Sequence, residues 1–227
     1  MSAPPRLILF DVDGTLVDSQ GDIVAAMTHA FGAVGLPAPA RADILGIVGL
    51  SLPVAMARLA PELDAAAHGR MVEGYKDAYM DLRALAGAAQ SSPLYPGARE
   101  VLETLAAAPD VLLGVATGKS RRGLDKLLEA HDLRDLFVTQ QVADFHPSKP
   151  HPAMILAALA ETGIAARDAV MIGDTSFDMD MAQAAGVRGI GVGWGYHPRS
   201  ALSAASAFIA AFAELPPLLD SLWESVT

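Results

Sequence analysis

Five short apolar runs mark this chain, and each reads as continuous rather than alternating: LILF (7–10), VLLGVA (111–116), LFVT (136–139), AVMI (169–172) and GIGV (189–192). A strand with one wet face alternates apolar and polar residues, whereas a continuous run belongs to a sheet buried on both faces. Helical patterns stand between the runs at 99–108, 121–131, 152–162 and 177–186. Pro152 suits a first helical position, and Gly163 and Gly186 suit helix ends. Strand followed by helix, repeated, predicts an α/β fold: a Rossmann-like parallel sheet covered by helices on both faces.

The rhythm breaks once. About 100 residues separate Asp11 from the second run, whereas a βαβ unit needs ~30. Residues 19–89 carry the helical patterns DIVAAMTHAFGAVG, LPVAMARLAPEL and DAAAHGRMVEGYKDAYMDLRALAG, with no convincing strand. They predict an inserted all-helical cap domain at 19–89, leaving 1–18 and 90–227 as the core. The stretch 201–219 reads as buried helices, because Glu214 and Pro216-Pro217 interrupt it. A membrane span needs ~20 apolar residues with few interruptions.

Composition narrows the function classes. With 52% hydrophobic and 19% charged residues, the 227-residue chain is a folded protein. The absence of cysteine excludes disulfides, iron–sulfur clusters and cysteine nucleophiles. A formal net charge of −10 disfavours a nucleic-acid partner. MSAPPR runs into a four-residue apolar run, too short for a signal-peptide core. The expected location is the cytoplasm, with no membrane partner.

In an open parallel sheet, ligands bind beyond the carboxyl ends of the strands. The first run leaves through Asp11-Val12-Asp13-Gly14-Thr15, and the second through Thr117-Gly118-Lys119-Ser120. Ser148-Lys149-Pro150 follows the third, and Gly173-Asp174-Thr175-Ser176 the fourth, with Asp178 close behind. Each signal has a bland reading. DG after a strand is a hairpin signal. TGKS and GDTS are ordinary helix caps, and a lone lysine is a solvated one. A calcium loop would need its glycine two places later. The functional reading is joint, since four exits bring acids, a threonine and a lysine to one edge. The six histidines form no zinc pattern; His146 and His151 flank Lys149 and read as structural. Trp194 and Tyr196 border the pocket or merely pack, and Arg121 and Arg122 face solvent.

These motifs closely resemble the haloacid dehalogenase-like hydrolase superfamily, in particular its phosphoglycolate phosphatase-like branch with a helical cap. DVDGTLVDS, VATGKS, SKPHP and GDTSFDMDMAQAAG match its four motifs in order. The resemblance implies a Mg²⁺-dependent phosphatase that hydrolyses a small phosphomonoester through an aspartyl-phosphate intermediate. It implies Asp11 as nucleophile and Asp13 as general acid and base. Mg²⁺ would be held by Asp11, the main-chain carbonyl of Asp13, and Asp174, with Asp178 in support. Thr117 and the Gly118 N–H would hold phosphoryl oxygens, and Lys149 would neutralise charge between Asp11 and the phosphate. The implied partner is a small phosphorylated metabolite.

Two other readings stay open. Sugar phosphomutases of the same superfamily share both acids. A phospho-acceptor switch like a response-regulator receiver also gathers Asp, Thr, Lys and Mg²⁺ at strand ends, but is about half this length and lacks a helical insert. Within the insert, residues 49–51 are the expected loop facing substrate. Arg58, Lys76 and Arg83 are candidate contacts for an acidic leaving group.

Overall fold

The computed structural model describes residues 4–224. Its strands are β1 (Arg6–Phe10), β2 (Val111–Thr117), β3 (Phe137–Val142), β4 (Ala169–Gly173), β5 (Arg188–Val192) and β6 (Ala207–Ile209). Between β1 and β2 lie α1 (Gln20–Gly32), α2 (Arg41–Leu45), α3 (Leu52–Leu59), α4 (Ala65–Ala86), α5 (Ala88–Ser91) and α6 (Ala98–Ala106). Then come α7 (Arg121–Ala130), α8 (Ala153–Thr162), α9 (Ser176–Ala184) and α10 (Leu215–Glu224).

The strands pair in parallel in the order β3-β2-β1-β4-β5-β6. β1 is central, with Leu9 opposite Gly114 on one side and Met171 on the other. Its side chains alternate between two cores. Ile8 and Phe10 pack with Leu102 of α6, Leu127 of α7 and Leu219 of α10. Leu7 and Leu9 pack with Ile155 of α8 and Met181 of α9. All four are fully buried, which is why the run reads as continuous. Burying each contributes about 1.5–3 kcal/mol, and Phe10→Ala should cost roughly 3–5 kcal/mol. Strand order reverses between β1 and β4, so the crevice at a topological switch point opens where these two strands end.

The insert is helical, as expected. Ile23, Met27 and Phe31 of α1, Met56 of α3 and Met71 of α4 form a third core, which Phe177 of α9 enters from below the cap. Asp64 caps α4 by accepting from the Ala67 N–H at 2.8 Å. Among the described residues, no helix is long and apolar enough to cross a membrane.

Three expectations need correction. The stretch 201–219 is not all helix. Residues Ala207–Ile209 pair in parallel with β5, and α-helix begins only at Leu215, after a 3-10 turn at Phe212–Glu214. Three residues are too few to show a period. β3 runs on through Gln140 and Gln141 to Val142 instead of ending at 139. It is an edge strand, so polar residues are tolerated: Gln141 and Thr139 both bond the Glu161 carboxylate of α8. Pro152 is the residue before α8 rather than its first.

Candidate active site

The chain turns sharply after β1. Gly14 takes a φ of +83°, and the Leu16 and Val17 N–H groups both donate to Val12 O. A Cβ at Gly14 would stand 2.3 Å from Asp174 Oδ2, so both conformation and space require glycine. The turn gives the two acids different neighbours. Asp11 meets Lys149, while Asp13 meets Ser19 Oγ and Lys119 Nζ, the latter at 2.8 Å.

Lys149 is not solvated, as an isolated lysine would be. It is 2% exposed, with Nζ 2.8 Å from Asp11 Oδ1 and 2.6 Å from Asp178 Oδ1. Asp178 is fixed by a capping box at the start of α9. Its Oδ2 accepts from the Thr175 N–H at 3.0 Å and Oγ1 at 2.7 Å. Asp174 leaves β4 and accepts from Thr15 Oγ1 at 3.0 Å and the Tyr196 N–H at 2.8 Å.

Carboxylate oxygens of Asp11, Asp174 and Asp178 lie within 4.8 Å of one another. Asp11 Oδ2 is buried with no hydrogen-bond partner among the described residues. Buried polar atoms are rarely left this way. Burial pushes the Asp11 carboxyl up to about 7, with Lys149 opposing and Asp178 and Asp13 adding to the rise. Burial, then the charges of Asp178 and Asp11, holds Asp174 well above the ordinary carboxylate range. For Lys149, burial works against the charge, and Asp11 and Asp178 overcome it, so its pKa is raised. One ammonium thus contacts two of three clustered, buried carboxylates. Oxygen-only donors with an orphaned oxygen fit a hard divalent cation. The Asp13 carboxylate stands outside this cluster, leaving its main-chain carbonyl as its possible ligand.

Thr117 ends β2, buried, and its Oγ1 accepts from the Lys119 N–H at 3.2 Å. Gly118 follows, where a Cβ would stand 2.5 Å from Gly49 O of the cap. Cap and core also meet through the Ser51 N–H, which donates to Ser148 Oγ at 2.8 Å. His197 makes a third link. Its Nδ1 accepts from the Ser176 N–H at 3.2 Å, which leaves Nε2 to donate to Gly46 O at 3.2 Å.

Between cap and core lies a cleft of about 930 Å³ lined by Asp11, Asp13, Thr117, Gly118 and Lys119 from the core. Gly49, Leu50, Tyr79, Lys76 and Arg83 line it from the cap. Ser51 and Arg58 do not; Arg58 lies 5.4 Å over the Phe177 ring instead. Arg122 reaches the cleft, but Arg121 is tied to Gln140 at 2.8 and 2.6 Å rather than free in solvent. His146 and His151 serve the local structure, bonding Gln141 at 2.7 Å and the Ala153 N–H at 3.2 Å. Trp194 packs on Phe212 and donates to Thr15 O at 3.0 Å, while the Tyr196 hydroxyl meets the Ser19 N–H at 3.3 Å. Sequence reasoning missed Lys119 and His197. Lys119 stood inside the quoted TGKS, and its position two residues after Thr117 was the available signal.

Comparison with known proteins agrees with this geometry. The family model described as haloacid dehalogenase-like hydrolase matches residues 8–192. A protein of Dickeya dadantii named "Probable phosphatase IndB" is 36% identical over 202 residues, 88% of this chain and 86% of its own length. A phosphoglycolate phosphatase of Pseudomonas syringae pv. tomato is 32% identical over 197 residues, 85% of this chain and 71% of its own. The crystal structure of a hydrolase from Pseudomonas syringae matches with a TM-score of 0.83 at 27% identity, over 95% of this chain and 98% of that one.

Proposed function

This chain belongs to the haloacid dehalogenase-like hydrolase family, and from that premise we propose that it is a Mg²⁺-dependent phosphatase. It hydrolyses a small phosphomonoester, as the phosphoglycolate phosphatases it resembles do by name. The observation that carries the reading is Asp11: a buried carboxylate lining the cleft, with one oxygen on Lys149 and the other without a hydrogen-bond partner among the described residues.

Asp11 attacks phosphorus, the bond from phosphorus to the leaving oxygen breaks, and Asp13 gives its proton to that oxygen. A water then attacks the aspartyl-phosphate and gives its proton to Asp13, releasing inorganic phosphate and restoring Asp11. Thr117 Oγ1 and the Gly118 N–H hold phosphoryl oxygens near the start of α7, where the helix dipole favours anions. Lys149 offsets charge between Asp11 and the phosphoryl group. Mg²⁺, held by Asp11, the Asp13 carbonyl and Asp174 with Asp178 in support, would supply further neutralisation of phosphoryl charge. Residues 19–89 act as the cap that selects the leaving group. The partner is a small phosphorylated metabolite of the cytoplasm, and the net charge of −10 supports leaving nucleic acid out.

The test is phosphate release from a panel of phosphorylated metabolites with Mg²⁺, using wild type and Asp11→Asn. Wild type should release phosphate and the variant nearly none. An isomerised sugar phosphate in place of free phosphate would assign the chain to the phosphomutases. Undiminished turnover in Asp11→Asn would remove Asp11 as the nucleophile.

A further inference from the structure

Ser19 stands immediately before α1, where a serine ordinarily accepts a hydrogen bond from the first helical turn. Its side chain makes no such bond. It is fully buried and donates to Asp13 Oδ1 instead. A helix cap is given up there for a contact with the acid.

Tyr196, which follows β5, holds the Ser19 hydroxyl in that direction. The Ser19 N–H donates to the Tyr196 hydroxyl oxygen at 3.3 Å, and the same hydroxyl lies 3.3 Å from Ser19 Oγ. The chemistry sets the donor roles. An ionised Asp13 only accepts, so Ser19 gives it the one hydroxyl proton it has. Tyrosine keeps its proton at neutral pH and donates it to Ser19 Oγ. Ser19 and Tyr196 thus bond each other reciprocally, and the serine hydroxyl has one direction left. The tyrosine is itself fixed. Its ring lies against the Gly14 turn, where a Cβ would stand 2.9 Å from Tyr196 Cδ2, and its N–H donates to Asp174 Oδ2 at 2.8 Å. Tyr196 is not among the residues lining the cleft, so it works through Ser19 and not on the substrate.

Among the described residues, both polar contacts of the Asp13 carboxylate fall on one oxygen. Ser19 Oγ and Lys119 Nζ meet Oδ1, the latter at 2.8 Å. An oxygen that already accepts from two donors is a poor place for a proton. The proton that Asp13 gives to the leaving oxygen therefore resides on Oδ2. We propose that Tyr196 is a positioning residue for this proton transfer. Tyrosine fixes the serine hydroxyl, serine holds Oδ1, and Oδ2 is left to protonate the leaving oxygen and then to take the proton of the attacking water. This rests on the phosphatase reading above.

The experiment measures phosphate release with Mg²⁺ from two esters. One is the most active alkyl phosphate of the metabolite panel; the other is p-nitrophenyl phosphate, whose leaving group needs no proton. Wild type, Tyr196→Phe, Ser19→Ala and the double variant are compared. Tyr196→Phe keeps the ring and the main-chain bond to Asp174, so the Mg²⁺ concentration for half-activation should not move. On the alkyl ester kcat should fall about tenfold with KM little changed, a part of the roughly 10²–10⁴-fold that acid–base catalysis contributes. The aryl ester should lose less. Because Tyr196 acts through Ser19, the double variant should be no slower than Ser19→Ala. Equal losses of Tyr196→Phe on the two esters, or losses that multiply in the double variant, would overturn the positioning role. Should Tyr196→Phe fail to fold, Ser19→Ala decides: a ratio of alkyl to aryl rates equal to that of wild type also overturns it. No phosphate release by wild type from any ester would sink the phosphatase reading and the positioning role with it, whereas turnover with any of the other failures sinks the positioning role alone.

Discussion

Lys119 Nζ stands 2.8 Å from Asp13 Oδ1, while Ser19 Oγ donates to that same oxygen. Burial works against the Lys119 charge and Asp13 overcomes it, so the ammonium is held in place. Asp13 is thereby oriented from two sides. Lys119→Met should leave the carboxylate on Ser19 alone and misplace the proton it handles. General acid–base catalysis contributes roughly 10²–10⁴-fold, and part of that should be lost. The loss should be larger for an alkyl phosphate than for an activated aryl phosphate, whose leaving group needs no proton. Equal losses on both, measured as kcat/KM, would dismiss the orienting role.

Lys149 is the only cation in contact with the Asp11, Asp174 and Asp178 cluster among the described residues. Removing one partner of a buried ion pair typically costs about 3–5 kcal/mol. Lys149→Met should lower the urea midpoint accordingly. Adding Asp178→Asn should restore part of the loss, because a buried charge disappears with it. Additive effects in the double variant would mean that the pair is not coupled.

The cluster also sets a pH dependence for the metal-free protein. Asp11 has a folded pKa of about 7, raised from 3.8. The folded state therefore binds the proton more tightly than the unfolded state. The associated stability is present below about 4 and is lost as pH rises through about 7, and Asp174 shifts in the same direction. With chelator, the melting temperature should fall between pH 5 and 8, pH values chosen to span roughly this window. Mg²⁺ should suppress the fall by binding the ionised cluster. Asp11→Asn should make the curve shallower without metal, leaving the part that Asp174 contributes. A flat wild-type curve in chelator would contradict the assignment.

How much of this was legible beforehand depended on whether a signal is local. Asp11, Thr117 and Asp174 could be read because parallel strands stop at polar residues, and all such stops share one edge. The cap could be read because the first crossover is too long. β6 could not, since Ala207–Ile209 is held by β5 and by the Ser206 N–H bond to Gly189 O rather than by its own pattern. Lys149 taken alone reads as a surface lysine because its partners Asp11 and Asp178 are distant in sequence, and only the joint set of strand exits and the family resemblance put it beside Asp11. His197 and Tyr196 were missed or left open for the same reason. Their contacts with Gly46 and Ser19 join residues more than a hundred positions apart.

Gly118 gives the sharpest test of closure. A Cβ there would stand 2.5 Å from Gly49 O and 2.9 Å from Leu50 O. Both are backbone atoms, so no side-chain rotation relieves the clash, and the cap loop has to lift. Gly118→Ala should spare the core, because neither contact lies within the sheet. Lifting the cap should admit water and misplace the leaving group. A displacement of about 1 Å can cost on the order of 10²-fold in rate. The expected outcome is a large fall in kcat/KM with an unchanged unfolding midpoint, together with faster proteolytic cleavage in the 49–51 loop. An unchanged cleavage rate alongside the kinetic loss would place the defect at the phosphate-binding turn instead. Unchanged kinetics would show that the cap does not need to rest on Gly118 during turnover.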